Sequence, residues 1–295
     1  MNFVILDLEW NGAYSKRLKG YINEIIEFGA VKVDPQLNIL DTFEVLIQPQ
    51  VGKKISGKIK NLTSITNEDL KGGLRFMQAV SRFCKWSGES VVLTWGTSDI
   101  LALIENCRYF CGDGHIPFLH RYVDLQAYCE HFLPCDGGQQ VGLSSAAQML
   151  KISEDGFDHH RALGDSLLSL RCFQKLYHPQ SLESFIQDAG CDEFYHKMEF
   201  KTVPICDLNH PLIHSADLAF NCDLCGRRAR RVSKWQLRNK SFLAEFFCRR
   251  CNHKFYGRVR FKLKYEGLVV KKKILPFTEK KEEEKQPLEQ KVSQP

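Results

Sequence analysis

Two acidic side chains close an apolar run near the start of the chain, Phe3-Val4-Ile5-Leu6-Asp7-Leu8-Glu9-Trp10. The run reads as a buried strand. Alternate residues of a strand share a face, so Asp7 and Glu9 point the same way. Crowded carboxylates repel one another and are costly to bury without a partner. A divalent cation removes that penalty, and magnesium suits hard oxygen ligands beside phosphate. For this stretch alone, the alternative is one carboxylate turned to solvent. Downstream, Asp99 follows a second apolar run, and His160 precedes Asp165 by five positions. Taken singly, Asp99 also fits a helix N-cap, Asp165 a solvated helix position and His160 a structural imidazole. Together they make four carboxylates and one imidazole. Such a set can offset the charge of bound divalent cations, which suit chemistry at phosphate. An imidazole titrating near pH 6.5 can take the proton of an attacking water.

A second chemical signature is cysteine. Cys222-x-x-Cys225 and Cys248-x-x-Cys251 are separated by 22 residues. Thiolates paired in this way suit one tetrahedral zinc ion. Gly226 and Asn252 follow the two pairs, where a left-handed backbone is easiest for Gly and tolerated by Asn. The pattern resembles a zinc ribbon. A redox-active dithiol set is the competing reading, and His253 stands nearby as a decoy ligand. The other eight cysteines are scattered, and no secretory leader is read. They are taken as reduced thiols of an intracellular protein.

Charge is unevenly distributed. The net +6 combines +14 in residues 220–275 (17 Lys/Arg against 3 Asp/Glu) with −7 in residues 1–219 and −1 in the last twenty. A basic module joined to an acidic body predicts a polyanion partner, nucleic acid first. Arg227, Arg228, Arg230 and Arg231 follow the first cysteine pair, with Trp235 close behind. Arg258, Arg260, Lys262 and Lys264 alternate as if along one face of a strand. Cations with an aromatic among them suit a phosphate backbone and stacked bases. The alternative is a ribbon docked on the acidic body. No run of about 18 apolar residues exists, so no membrane span is expected, and the expected location is the cytoplasm.

The elements that must position these groups follow from periodicity. Glu24 to Val33 and Ile39 to Ile47 read as strands, making an antiparallel meander with the first. Residues 11–21 read as a basic loop, whose Lys16, Arg17 and Lys19 hold phosphates or are simply solvated, and residues 52–73 as loop with a short turn at 61–66. Phe76, Ala79, Val80 and Phe83 have helical spacing. Val91 to Trp95 reads as a fourth strand, Val123 to Leu125 as the end of a fifth, and 159–177 as the last helix of the body. This order implies an α/β fold, a mixed five-stranded sheet flanked by helices, with a small C-terminal β module. The predicted domains are 1–178, a connecting segment 179–219, a basic zinc ribbon 220–275, and a disordered tail 276–295.

The carboxylate set resembles that of the DEDDh (DnaQ-like) 3′→5′ exonucleases of the ribonuclease H-like fold, over roughly residues 1–177. The likeness extends to Tyr21-Ile22-Asn23-Glu24-Ile25-Ile26-Glu27-Phe28-Gly29-Ala30-Val31, Leu62-Thr63-Ser64-Ile65-Thr66, Thr94-Trp95-Gly96-Thr97-Ser98-Asp99 and His160-Arg161-Ala162-Leu163-Gly164-Asp165. The subgroup it is most similar to holds the ERI-1-like RNA exonucleases and the bacterial KapD-like proteins. The resemblance implies that Asp7, Glu9 and Asp165 bind two magnesium or manganese ions, and that Asp99 holds one through water. It implies that His160, rather than His159, is the general base, and that nucleoside 5′-monophosphates leave a single-stranded 3′ end, RNA favoured over DNA. Trp10, Leu62, Thr63 and Ile65 would contact the terminal nucleotide; the alternatives are a buried turn for the last three and a core-filling ring for Trp10. Trp10 stands where the family most often has Thr, and Ser64 where Gly is usual. The alternatives are a DNA proofreading or repair exonuclease, and a nucleic-acid-binding adaptor with an inactive nuclease fold.

Overall fold

The strand that carries Asp7 and Glu9 outlasts its apolar run. In the computed structural model, which describes residues 1–134, 140–153 and 160–277, β1 spans Phe3–Ser15 and turns directly into β2, Gly20–Val33. Residues 11–21 are therefore mostly hairpin, not loop. Asn11, Ala13 and Ser15 alternate inward while Gly12 and Tyr14 face out, and the Tyr14 and Tyr21 rings meet edge to face across the ladder. The polar composition hid this two-residue period; only 16–19 form the turn, with Lys19 left-handed at φ 51°.

The chain divides into two compact units, Met1–Glu199 and the part from Phe200 onward. The first continues with β3 (Ile39–Leu46), α1 (Gly57–Thr63), α2 (Asn67–Lys71), α3 (Phe76–Ser87), β4 (Val91–Thr94) and α4 (Ser98–Cys111). After these come β5 (Arg121–Asp124), α5 (Leu125–Phe132), α6 (Leu143–Met149), α7 (Ala162–Leu176), α8 (Pro179–Glu183), β6 (Gln187–Asp188) and α9 (Asp192–Glu199). The sheet order is β3-β2-β1-β4-β5-β6. Strands β1, β4 and β5 are parallel, and the other neighbours are antiparallel. It is the mixed sheet expected, with a sixth edge strand two residues long, too short to leave a sequence signal.

Alternation along β1 sends Val4, Leu6 and Leu8 to the face covered by α3, α4 and α9. Phe3 and Ile5 go to the face covered by α5, α6 and α7. Asp7 and Glu9 continue the second series. The stretch 52–73, read as loop, holds two short helices. Their signals are caps rather than apolar period: Ser56 accepts the Ile59 N–H, and Thr66 with Asp69 forms a reciprocal capping box.

The segment 179–219 is not one connector. Its first part belongs to the first unit, because Leu182, Phe194 and Tyr195 are buried against the two cores. Its later part opens the second unit. There β7 (Val203–Ile205), β8 (Arg230–Arg231), β9 (Gln236–Arg238), β10 (Ser241–Cys248), β11 (His253–Lys264) and β12 (Gly267–Pro276) form one antiparallel sheet. The path runs β12-β11-β10-β8, with β7 on β11 and β9 on β10. Ordered structure passes the expected end at 275: Pro276 closes β12 and the Phe277 ring stacks on Tyr256. The rest of the tail, 278–295, lies outside the described residues.

Candidate active site

Each acidic residue is placed by a backbone feature. Strand β4 pairs with β1 only over Phe3–Ile5 and ends at Thr94. Beyond Ile5, that edge of β1 has no ladder partner among the described residues. Asp99 meets the need: its Oδ1 accepts the Leu8 N–H at 3.0 Å, and the residue is 4% exposed. Asp99 is thus not the helix N-cap. Thr97 holds that position and Asp99 sits in the first turn of α4. The swing from β4 into α4 uses Gly96 at φ 81°, whose carbonyl accepts from Thr94 Oγ1 and Tyr122 Oη.

Asp165 is placed by the start of α7. The helix begins at Ala162, not at 159, because Arg161 is extended and His160 is left-handed at φ 60°. Arg161 donates through Nε (2.9 Å) and Nη2 (2.5 Å) to the buried carboxylate of Glu27, and through Nη2 to Glu44 at 3.2 Å. Glu27 also accepts the Ala162 N–H at 3.1 Å. One turn on, Ser166 Oγ donates to the Gly29 carbonyl at 2.8 Å. Gly29 pairs with Asp7 across the ladder, and a Cβ there would lie 2.0 Å from the Leu163 nitrogen. Only glycine lets the helix come this close to the sheet.

Asp7, Glu9 and Asp165 consequently offer carboxylate oxygens within 4.8 Å of one another. They line a cavity of about 410 Å3 together with Asp99, His160, Trp10, Leu62 and Trp95. Burial pushes Asp7 well above the usual carboxylate range, aided by the charges of Asp99, Asp165, Glu9 and Glu27. Burial, then Asp165, Glu27 and Asp99, raise Glu9 to about 8 against the opposing pull of Arg161. Burial raises Asp99 to about 7, with the Leu8 N–H opposing. A cluster that resists ionising when bare is what a cation site of hard oxygen donors looks like without its counter-charge.

The structure brings together all five residues singled out for chemistry, and Trp10 and Leu62 beside them. It does not bring Thr63 or Ile65 to the cavity. The Thr63 hydroxyl donates to the Ile59 carbonyl, and Ile65 packs with Ile26, Ile55 and Leu70. Their turn needs them inside. Ser64, between them, adopts φ 60° and ψ 1° as the α1 C-cap, which accounts for glycine being usual there. His159 lies outside the described residues. The sequence reading missed Trp95 as a cavity wall, although it stands in the run before Asp99. It also missed Glu27 and Arg161, whose pairing across 134 positions leaves no periodic signal.

In the second unit, the sulfurs of Cys222, Cys225, Cys248 and Cys251 lie within 4.8 Å of one another. All four are free thiols, and the Cys225–Cys248 separation of 3.6 Å is far beyond a disulfide bond. Four donors at ~2.3 Å from one ion would stand at about this spacing, so the set fits tetrahedral zinc. Gly226 (φ 69°) and Asn252 (φ 50°) are left-handed, as their places after the knuckles require. His253 pairs with Asp223 at 3.2 Å and approaches Cys222 at 3.7 Å, beside the set. Beyond the cysteines, Arg227, Arg228 and Arg230 line a groove of about 500 Å3 with Arg249 and Arg250, two cations the sequence reading passed over. Arg231 instead lies over the Trp235 ring. Phe255, Val259 and Phe261 turn inward along β11. On its other face, Arg258 stands opposite Lys273, and Arg260 opposite Lys271. No described helix is long and apolar enough to cross a membrane.

Comparison with known proteins bears on the first unit. A family model described as Exonuclease, of RNase T type, matches residues 4–173. The probable 3′-5′ exonuclease KapD of Bacillus subtilis is 30% identical over 182 residues, 59% of this chain and 83% of that protein. A PolC-type DNA polymerase III of Clostridium perfringens is 26% identical over 205 residues, 69% of this chain but 13% of that much longer protein. Among solved structures, the nuclease domain of 3′hExo, a DEDDh family member bound to rAMP, superposes with a TM-score of 0.51 at 22% identity, covering 62% of this chain and 92% of that one.

Proposed function

The chain belongs to the exonuclease family, and on that premise we propose that it is a metal-dependent 3′→5′ exonuclease. It would release nucleoside 5′-monophosphates from single-stranded ends, RNA in preference to DNA. The observation that carries the reading is the meeting of Asp7, Glu9 and Asp165 within 4.8 Å, with Asp99 and His160 in the same cavity. An inactive adaptor would have no need to keep this costly acid cluster.

In this reading Asp7, Glu9 and Asp165 would hold two divalent cations, magnesium or manganese, with Asp99 supporting the site. When bound, the pair supplies a nucleophile at neutral pH and neutralises charge on the transferring phosphate. The protein's own part is positional. Asp99 is locked to the Leu8 backbone, and the helix bearing Asp165 is held against β2 by Gly29, Glu27 and Ser166. His160, exposed at the cavity rim, takes the proton from the attacking water. Trp10 and Leu62 flank the place for the terminal base and sugar.

The second unit is read as a zinc ribbon that grips nucleic acid. Five arginines around one groove suit phosphate oxygens, because guanidinium groups bind them as forks. The facing cation pairs Arg258–Lys273 and Arg260–Lys271 repel across the ladder, a penalty that a bound polyanion relieves. Metal analysis of the purified chain should find one zinc per chain, lost on Cys225→Ser; a zinc-free, folded ribbon would refute that assignment.

The reading of RNA as substrate is supported by the resemblance to the subgroup that holds the ERI-1-like RNA exonucleases and by the ribonucleotide bound to the 3′hExo domain. The PolC likeness favours DNA as the second reading. Labelled single-stranded RNA and DNA, given magnesium or chelator, separate these. The proposal expects a ladder shortening from the 3′ end, magnesium-dependent and faster on RNA. Internal cuts or chelator-resistant cleavage would overturn it.

A further inference from the structure

The hairpin that extends β1 beyond the acidic residues forms one wall of a second cleft, of about 560 Å3. The other walls are the 50–54 segment and Tyr109 near the end of α4. Four cations line it: Lys16 and Arg17 from the hairpin, Lys53 and Lys54 from the segment opposite. Lys16, Lys53 and Lys54 make no ion pair among the described residues, although the region 1–219 is acidic by −7. Arg17 is fixed over the Tyr109 ring and donates to the Tyr109 carbonyl at 2.9 Å. Tyr14 also lines the cleft, half exposed, with its ring against the exposed Tyr21.

The cleft is built rather than incidental. Glu24, 2% exposed, accepts the backbone N–H groups of Gln50 (2.5 Å), Val51 (2.7 Å) and Gly52 (2.8 Å). A carboxylate holding three consecutive amides fixes the segment that presents Lys53 and Lys54. Asn11 accepts the Ser56 N–H at 2.9 Å and ties the same segment to β1.

Three elements lead from the acidic cavity to this cleft. Strand β1 carries Asp7, Glu9 and Trp10 in the cavity and Gly12 to Ser15 in the cleft. Helix α4 carries Asp99 at one end and Tyr109 ten residues on, ~15 Å along its axis. The 50–54 segment leads through α1 to Leu62 in the cavity wall. A cleft whose lysines make no ion pair among the described residues, joined to the acidic cavity by these elements, matches a single strand whose 3′ end is already seated.

We propose that this cleft is an upstream binding site for the phosphodiester backbone of single-stranded nucleic acid, with Lys16, Lys53 and Lys54 on phosphates. The inference rests on the exonuclease reading for the direction of the strand. It makes the first unit selective for ends that carry several nucleotides beyond the one removed.

The test is the triple variant Lys16→Ala/Lys53→Ala/Lys54→Ala in the full chain, with Arg17 and Glu24 kept to preserve the cleft's frame. Equilibrium binding of a labelled single-stranded dodecanucleotide is followed by anisotropy in chelator across a salt series. Three lost phosphate contacts should flatten the log–log salt slope by about 2, and raise KM for the dodecanucleotide roughly tenfold. Hydrolysis of a small chromogenic phosphodiester, too short to reach the cleft, should be unchanged. A triple variant with the wild-type slope and KM overturns the proposal, as does a parallel loss on the small ester. If the wild-type chain hydrolyses neither substrate, the exonuclease reading fails while the binding slope still decides whether the cleft holds a phosphate backbone.

Discussion

Gly29→Ala probes the contact on which the cavity depends. Gly29 faces Asp7 across the β1–β2 ladder, and the start of α7 lies directly over it. An added Cβ would stand 2.0 Å from the Leu163 nitrogen, 2.1 Å from the Ala162 carbonyl carbon and 2.7 Å from Ala162 Cβ. The first two are backbone atoms, so no rotamer change relieves the clash. Reaching ordinary contact near 3.5 Å requires the first turn of α7 to withdraw by roughly 1.5 Å. Asp165 lies two residues beyond Leu163 and moves with it. Its oxygen lies within 4.8 Å of those on Asp7 and Glu9, close enough to share a cation with them, and the withdrawal opens that spacing. A displacement of ~1 Å in a reacting constellation costs about 10²-fold in rate. Overpacking itself costs about 1–3 kcal/mol. We therefore expect kcat on single-stranded RNA to fall on the order of 10²-fold, with a Tm about 2–12 °C lower. Gly57→Ala is the control, since a Cβ there meets nothing within 4 Å. Wild-type turnover and Tm in Gly29→Ala would refute the argument that this approach sets the cation site.

His160→Ala should lower turnover by about 10²–10⁴-fold, as loss of a general base does, while manganese binding by calorimetry is retained; unchanged turnover would remove His160 from the chemistry. Ser64→Gly should raise stability by about 1 kcal/mol, because the position is left-handed at φ 60°; a lower Tm would contradict the strain inferred there. The pH profile of the metal-free protein offers a further check. The folded state holds Glu9 up at about 8 from 4.5, and Asp7 well above its ordinary value, so it binds protons more tightly than the unfolded chain does. The stability this contributes is complete below the unfolded value of 4.5 and is lost as pH rises through about 8. Melting without metal should accordingly show Tm declining across that window, and saturating magnesium should flatten the decline. A metal-free Tm that rises across it would count against the acid cluster.

Much of this was legible because the informative signals are local. Period-two alternation puts Asp7 and Glu9 on one face, C-x-x-C spacing brings sulfurs together, and left-handed turns ask for Gly226 and Asn252. What escaped the sequence was set by partners far along the chain. The 11–21 stretch looked like a loop because its lysines and arginine outweigh a short alternation. Its neighbours Glu24 and residues 50–54 make it a cleft wall. Helix α7 starts three residues later than its apolar spacing suggests, since Arg161 is drawn off to Glu27. For Thr63 and Ile65 the sequence left a nucleotide contact and a buried turn open, and their turn folds inward.

The most direct test of the central claim is a count of manganese ions bound to the zinc-loaded chain in the presence of AMP, by calorimetry or electron paramagnetic resonance. Wild-type protein should take up two per chain, and Asp7→Ala and Asp165→Ala should each abolish or halve that number while the fold persists. Uptake unchanged in both variants would mean that the acids of β1 and α7 do not form a shared cation site.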